Sequence, residues 1–216
     1  MTPLYSILAY PYTVWRGIPI ITWFLRPRGS WILRLAHAAS YRVVSASRDS
    51  YPYPDAKLIP VGHGIDTDFF TPDAAVRPSP PLIISVGRIT PIKNIELLID
   101  AAKQLLNQKI SFSAAIIGSP FTPVDEEYAT VLCKRVTAAG LENNVRFIPA
   151  VSRNELRNWY RQATLHVNCT EAGSGDKVVL EAMACGTPSL FVTPVFKNVC
   201  GVYIEMLHCP ISSPFA

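Results

Sequence analysis

Three loops of this sequence carry side chains whose types and spacing suit an anionic ligand. In the first, Val86-Gly87-Arg88-Ile89-Thr90-Pro91-Ile92-Lys93-Asn94, Gly87 lets the backbone come close to a ligand, and two cations five residues apart, Arg88 and Lys93, bracket a helix start. A planar guanidinium fork and a compact ammonium together suit a diphosphate. Solvated surface cations would show the same spacing, because G-R-x4-K is a weak pattern on its own. The second loop, Thr170-Glu171-Ala172-Gly173-Ser174-Gly175-Asp176-Lys177, leads directly into a helix. Gly173 and Gly175, with Ser174 between them, free backbone N–H groups to point at an anion, and the positive end of the helix dipole lies behind them. Asp176 reads either as the helix N-cap or as a ligand contact. Glu181 stands in a helical stretch, Val178 to Ala184, that is otherwise apolar all round, so its carboxylate needs a protein partner or a ligand hydroxyl.

The third loop, Val61-Gly62-His63-Gly64-Ile65-Asp66-Thr67-Asp68-Phe69-Phe70, places His63 between two glycines, as in a tight turn that presents a side chain to a cleft. Asp66-Thr67-Asp68 is formally a D-x-D of the kind that holds a divalent metal in some enzymes, but ahead of a Phe pair it reads as a turn or helix cap. No metal site is expected. His37, His166 and His208 have no spacing for joint ligation and are assigned to core or surface positions. The five cysteines, at 133, 169, 185, 200 and 209, are odd in number and include no CxxC, which argues against a disulfide framework and against zinc.

The elements that must position these loops follow from periodicity. Leu82 to Val86, Phe112 to Ile117, Val145 to Ile148, Leu165 to Cys169 and Ser189 to Val192 are apolar runs of strand length. Between them lie helical patterns. One runs from Asn94 with Ile95, Leu98, Ile99, Ala102, Leu105 and Leu106 on one face, and another covers about 125–139 and stops at Gly140. A third opens on the capping box Ser152-Arg153-Asn154-Glu155, and the fourth covers Lys177 to Cys185. Five strands and four helices in alternation predict a doubly wound, Rossmann-like parallel sheet, in which ligands bind at the carboxyl ends of the strands. Upstream, Ile18 to Leu25, Arg42 to Ser45 and Lys57 to Ile59 read as strands, and Ser30 caps a helix over Trp31 to Ala39. Residues 71–81 hold four prolines and read as a linker, which divides the chain into residues 1–70, the linker, and 82–216.

Composition bounds the rest. Of 216 residues, 49% are apolar, which supports a domain-sized core and excludes disorder as the main state. Charged residues are 17%, against about a quarter in typical globular chains. Prolines number 19, where average usage gives roughly 11. No apolar run approaches the ~18 residues of a membrane span, and the start lacks a basic n-region, so neither a transmembrane helix nor a signal peptide is expected and a reducing cytosol is the simplest compartment. Residues 1–60 carry seven arginines and lysines against two aspartates, a net +5, while the remainder carries −1. With Trp15, Trp23, Phe24 and Trp31 among those arginines, this quarter reads as the core of a first domain or as a face for an anionic membrane. A nucleic-acid partner is not expected. A dinucleotide-dependent oxidoreductase is disfavoured, since no G-x-G-x-x-G follows the first strand of the large sheet.

Taken together, the Gly62-to-Phe70 segment, Ser85-Val86-Gly87-Arg88 with Lys93-Asn94, and Leu180-Glu181-Ala182-Met183-Ala184-Cys185-Gly186-Thr187-Pro188 resemble retaining, nucleotide-sugar-dependent glycosyltransferases of the GT-B fold. The likeness is to family 4, the group 1 type related to glycogen and sucrose synthases, over about residues 18–193. The resemblance implies that Arg88 and Lys93 bind the donor diphosphate and stabilise the leaving nucleotide, and that Glu181 binds the ribose hydroxyls. It implies transfer of a hexose to a saccharide or lipid-linked acceptor with retention, with no cofactor and no required metal. Most members have a second Glu eight residues before Glu181. Gly173 stands there in this chain, and the variant Gly173-to-Lys177 stretch implies that Asp176 and Lys177 take over donor contacts. The resemblance also implies a chain short at both ends, with only the tail of the acceptor-side domain. A non-catalytic nucleotide-sugar-binding fragment is the alternative.

Overall fold

Strands of a parallel sheet covered by helices on both faces are apolar at nearly every position, and the second half of this chain is built that way. The computed structural model describes residues 2–73, 78–170 and 176–192. They form two compact units that divide between Gly64 and Ile65.

The first unit runs α1 (Leu4–Trp15), β1 (Ile21–Trp23), α2 (Trp31–Ala39), β2 (Arg42–Ser45) and β3 (Leu58–Pro60). Its three strands are parallel in the order β1-β2-β3, with Val43 opposite both Thr22 and Leu58. Ser30 caps α2 as its sequence predicts, accepting from the Leu33 N–H at 3.1 Å. Leu33 then packs with Phe24, Val43, Tyr51 and Leu58 into a small core. His37 bridges the Tyr51 hydroxyl at Nδ1 and the Asp55 carboxylate at Nε2, both at 2.9 Å, and burial pushes the Tyr51 phenol up to about 12. No side chain of α1 is buried, and Pro11 lies inside it. Of the aromatics among the arginines, Phe24 joins the core, whereas Trp15 and Trp31 are 75% and 72% exposed. No helix among the described residues is long and apolar enough to cross a membrane.

The second unit continues with β4 (Leu82–Val86), α3 (Ile95–Asn107), β5 (Ser113–Ile117), α4 (Pro123–Ala138), β6 (Val145–Ile148), α5 (Arg153–Gln162), β7 (Leu165–Asn168), α6 (Lys177–Ala184) and β8 (Ser189–Phe191). All five strands are parallel, in the order β6-β5-β4-β7-β8. The predicted doubly wound sheet is therefore present. Its two faces have separate cores: Ala114 and Ile116 point toward Ile99 of α3 and Leu132 of α4, while Ile84, Ala115 and Ile117 point toward Tyr160 of α5 and Ala182 of α6. The Ser152–Glu155 capping box forms reciprocally. So does a second, Thr122 with Asp125, on α4. Gly140 takes φ +69° just past α4, as its place in the sequence predicts, and Leu141 N–H bonds back to the Val136 carbonyl.

Segment 65–73 belongs to this unit. Arginines one turn apart on α5 hold it: Arg153 pairs with Asp66 at 3.0 Å and lies over the Phe69 ring, Arg157 also lies over Phe69, and Arg161 donates to the Thr71 carbonyl at 2.8 Å. Asp66 accepts from the Phe69 N–H, so the D-x-D is a turn, as expected. Cys133, Cys169 and Cys185 are free thiols. Cys200, Cys209 and His208 lie outside the described residues, as do 74–77 of the linker.

At the ends of β4 and β5 two backbones come closer than side chains permit. A Cβ on Gly118, at φ +153°, would stand 1.8 Å from the Gly87 carbonyl oxygen. A Cβ on Gly87, at φ +143°, would meet Lys93 Cε at 3.2 Å. On β7, His166 is fully buried with Nδ1 3.1 Å from the Ser189 hydroxyl, and burial pushes its imidazole down to about 3.

Three outcomes follow for denaturation of the second unit in urea. Ser152→Ala lowers stability by about 1 kcal/mol through loss of the cap. Gly118→Ala lowers it by more than about 2 kcal/mol, since the clash is with backbone and the φ is unfavourable. Because the folded imidazole of His166 resists protonation, the unfolded chain binds the extra proton, and stability falls with pH from 6.5 toward about 3. The slope is about 1.4 kcal/mol per pH unit, and His166→Gln flattens it between pH 6.5 and 5.

Candidate functional site

In the strand order β6-β5-β4-β7-β8 the chain leaves β4 toward one edge of the sheet and returns to β7 on its other side. The connections above β4 and β7 therefore diverge, and a crevice opens at their carboxyl ends. A small, open pocket lies there, between Ser85–Arg88 with Lys93 on one side and Asn168–Thr170 on the other. The two close-packed glycines shape its floor: Gly118 allows β5 to end against Gly87, and Gly87 N–H bonds to the Ile117 carbonyl at 3.0 Å.

Beyond Gly87, Pro91–Lys93 forms one 3₁₀ turn and Asn94, left-handed at φ 48°, opens α3. Tyr128 of α4 steadies that start, accepting from the Ile95 N–H at 3.2 Å and donating to Glu96. The turn carries the Lys93 side chain back over Gly87, where a methyl group would crowd it. Arg88 projects into solvent and makes no ion pair among the described residues. An exposed guanidinium thus stands beside a mostly covered ammonium that is held in place.

What holds Lys93 is Asp176. Its Oδ2 accepts from Lys93 Nζ at 2.5 Å, from Asn168 Nδ2 at 2.8 Å and from the Thr170 hydroxyl at 3.0 Å. Burial raises the Asp176 carboxyl, but these three donors, Lys93 foremost, outweigh it and hold the group below the usual carboxylate range. Asp176 occupies the N-cap position of α6, yet its side chain caps no helical N–H. The sequence reading of a cap is thus correct for place and incorrect for bonding. Lys177 is exposed at the start of α6.

Glu181 is half-buried one turn further along. The carboxylate does find a protein partner: the Tyr160 hydroxyl donates to Oε2 at 3.1 Å. Burial, and then the nearby Glu181 charge, push the Tyr160 phenol far up, so it remains a donor. Tyr160 is itself fixed by Thr187, whose hydroxyl donates to the Tyr160 carbonyl.

The structure brings Gly87, Arg88, Lys93 and Asp176 to one crevice and places Glu181 on the helix that Asp176 opens. His63 is half-buried at the end of the first unit. Ser174 and Gly175 lie outside the described residues. Sequence reasoning did not single out Asn168, Thr170, Gly118 or Tyr160. A signal for the first two exists: His166, Asn168 and Thr170 alternate with Val167 and Cys169, a polar face on a strand otherwise apolar. No group of three or more His, Cys, Asp or Glu residues that could hold a metal ion occurs among the described residues.

Comparison with known proteins places this chain in a family. Curated relatives include D-inositol 3-phosphate glycosyltransferases of Frankia alni, 31% identical over 70% of this chain and 42% of that protein, and of Mycolicibacterium smegmatis, 34% identical over 62% of this chain and 32% of that protein. The chain thus spans less than half the length of these relatives. Among solved structures, HepE of Anabaena in complex with UDP superposes with a TM-score of 0.71 at 19% identity, over 87% of this chain and 57% of that one, a likeness of fold. The C-terminal domain of a glycosyl transferase group 1 protein of Francisella tularensis gives 0.54 at 28% identity, over 59% of this chain and 70% of that one. The family match itself covers residues 66–199, from the Asp66 turn through the pocket loops and α6, and by it the chain belongs to the glycosyl transferases group 1 family.

Proposed function

We propose that this chain is the donor-binding domain of a retaining glycosyltransferase, together with part of the acceptor-side domain, and that it binds a nucleoside diphosphate sugar. The observation that carries the reading is the cation pair at the switch point. Arg88 and Lys93 stand at the carboxyl end of β4, on the side of the crevice that faces Asn168–Thr170.

In transfer, negative charge grows on the diphosphate as the bond to the sugar breaks. Lys93, already fixed, meets that charge without reorganising, and Arg88 closes on it with its planar fork. Glu181, oriented by Tyr160, accepts from the ribose hydroxyls. With two cations in these places the reaction requires no metal. Lys177 is assigned a donor contact, and a hexose passes to a saccharide or lipid-linked acceptor held in large part by the other domain. HepE has been solved with UDP-glucose, which supports a uridine nucleotide as the first donor to test.

A second reading is a nucleotide-sugar-binding module without turnover. The compartment we assign is the cytoplasm. The exposed Trp15 and Trp31, within a stretch of net charge +5, are assigned to an anionic membrane surface that would carry a lipid-linked acceptor.

Isothermal titration with UDP and GDP tests the site. One of them binds, and Lys93→Ala weakens it roughly 10- to 100-fold, the worth of a charge-assisted hydrogen bond. Absence of binding by both, or an unchanged affinity in K93A, removes the assignment. Assay of UDP-sugar hydrolysis and transfer separates the enzyme from the module. In vesicle sedimentation, the chain pellets with anionic lipid at low salt and stays in the supernatant with neutral lipid. Equal partitioning removes the membrane assignment.

A further inference from the structure

Lysine is a poor anchor when left to itself, because four rotatable carbons let the ammonium wander. Lys93 is not left to itself. Its side chain is 17% exposed, it is threaded over Gly87, and its Nζ rests on Asp176 Oδ2. That oxygen is in turn oriented by two neutral donors from the neighbouring strand, Asn168 Nδ2 and the Thr170 hydroxyl, and Asn168 Oδ1 accepts the Thr170 backbone N–H at 3.2 Å. The bonds form a line from the polar face of β7, through one carboxylate, to the cation on the far side of the crevice.

We propose that Asp176 is a positioning residue: together with Asn168 and Thr170 it holds the Lys93 ammonium at the mouth of the pocket, where Lys93 and not Asp176 meets the diphosphate. This rests on the donor-binding reading above and sharpens it, because it moves Asp176 from the list of direct sugar contacts to the support of a phosphate contact. Three donors converging on one oxygen make that oxygen a structural acceptor. An ammonium that spends one N–H on Asp176 keeps two for phosphate oxygens. A carboxylate beside a diphosphate is repulsive in itself, so the arrangement favours binding only if the gain from a fixed Lys93 exceeds that repulsion.

The sign of the effect therefore decides the matter. Titration calorimetry compares the native chain, Asp176→Ala, Asn168→Ala, Lys93→Ala and the Lys93→Ala/Asp176→Ala pair, each with UDP, GDP, UDP-glucose and GDP-mannose. The expected result is that D176A weakens the bare diphosphate roughly tenfold, as loss of one charge-assisted bond would. N168A weakens it less. The double variant binds no more weakly than K93A alone, because Asp176 acts through Lys93.

An unchanged or tighter affinity of D176A for the bare diphosphate overturns the proposal. A loss confined to the sugar nucleotides does so as well, and shows a direct sugar contact. Losses that add fully in the double variant also overturn it. If D176A does not fold by urea denaturation, N168A decides alone: its loss must vanish in a Lys93→Ala background. Failure of the native chain to bind any of the four nucleotides is a different result, which removes the donor-binding reading and this proposal together.

Discussion

The pocket depends on a contact between two backbones. Where β4 and β5 end, the Gly118 α-carbon faces the Gly87 carbonyl so closely that no side chain fits between them, and both residues take positive φ. The approach needs a residue without a Cβ at 118, and Gly87 in turn leaves room for the Lys93 stem. From this approach follow the level at which the loop after β4 turns, the room above Gly87 for the Lys93 stem, and the width of the crevice facing β7. The cations are the visible chemistry of the site, and the absent carbons determine where they stand.

The site also distributes its stiffness unevenly. Lys93 is bonded to Asp176, itself bonded to Asn168 at the end of β7 and to Thr170 just beyond it, and Glu181 is bonded to Tyr160, which Thr187 holds in turn. Arg88 is exposed and makes no ion pair among the described residues. Preorganised charge acts at full strength because it need not rearrange, while an exposed guanidinium can turn toward an arriving anion.

Much of the second unit could be read from its residues. Leu82–Val86 and Val145–Ile148 are strands with the limits that their apolar runs mark, and Ser152 with Glu155 and Gly140 end their helices as local chemistry dictates. These are short-range relations. What sequence did not show is of longer range or weaker signature. The partner of Glu181 is 21 residues away on another helix, and nothing in Arg153–Gln162 distinguishes Tyr160 as that partner. The α4 capping box uses Asp125, one carbon shorter than the Glu or Gln of the usual pattern. Helix α1 is apolar on all sides, has a proline within it and buries nothing, so no periodicity announces it. Gly87 and Gly118 look isolated along the chain because their meeting is a property of the sheet.

The fully buried imidazole under the pocket has a last consequence. With His166 resisting protonation down to about pH 3 and Asp176 held ionised below the ordinary carboxylate range, neither group gains or loses a proton anywhere near neutrality. The charges of these two groups are therefore constant across that range, and an arriving anion meets the same two charge states beside Lys93 in a mildly acidic medium as in a mildly alkaline one.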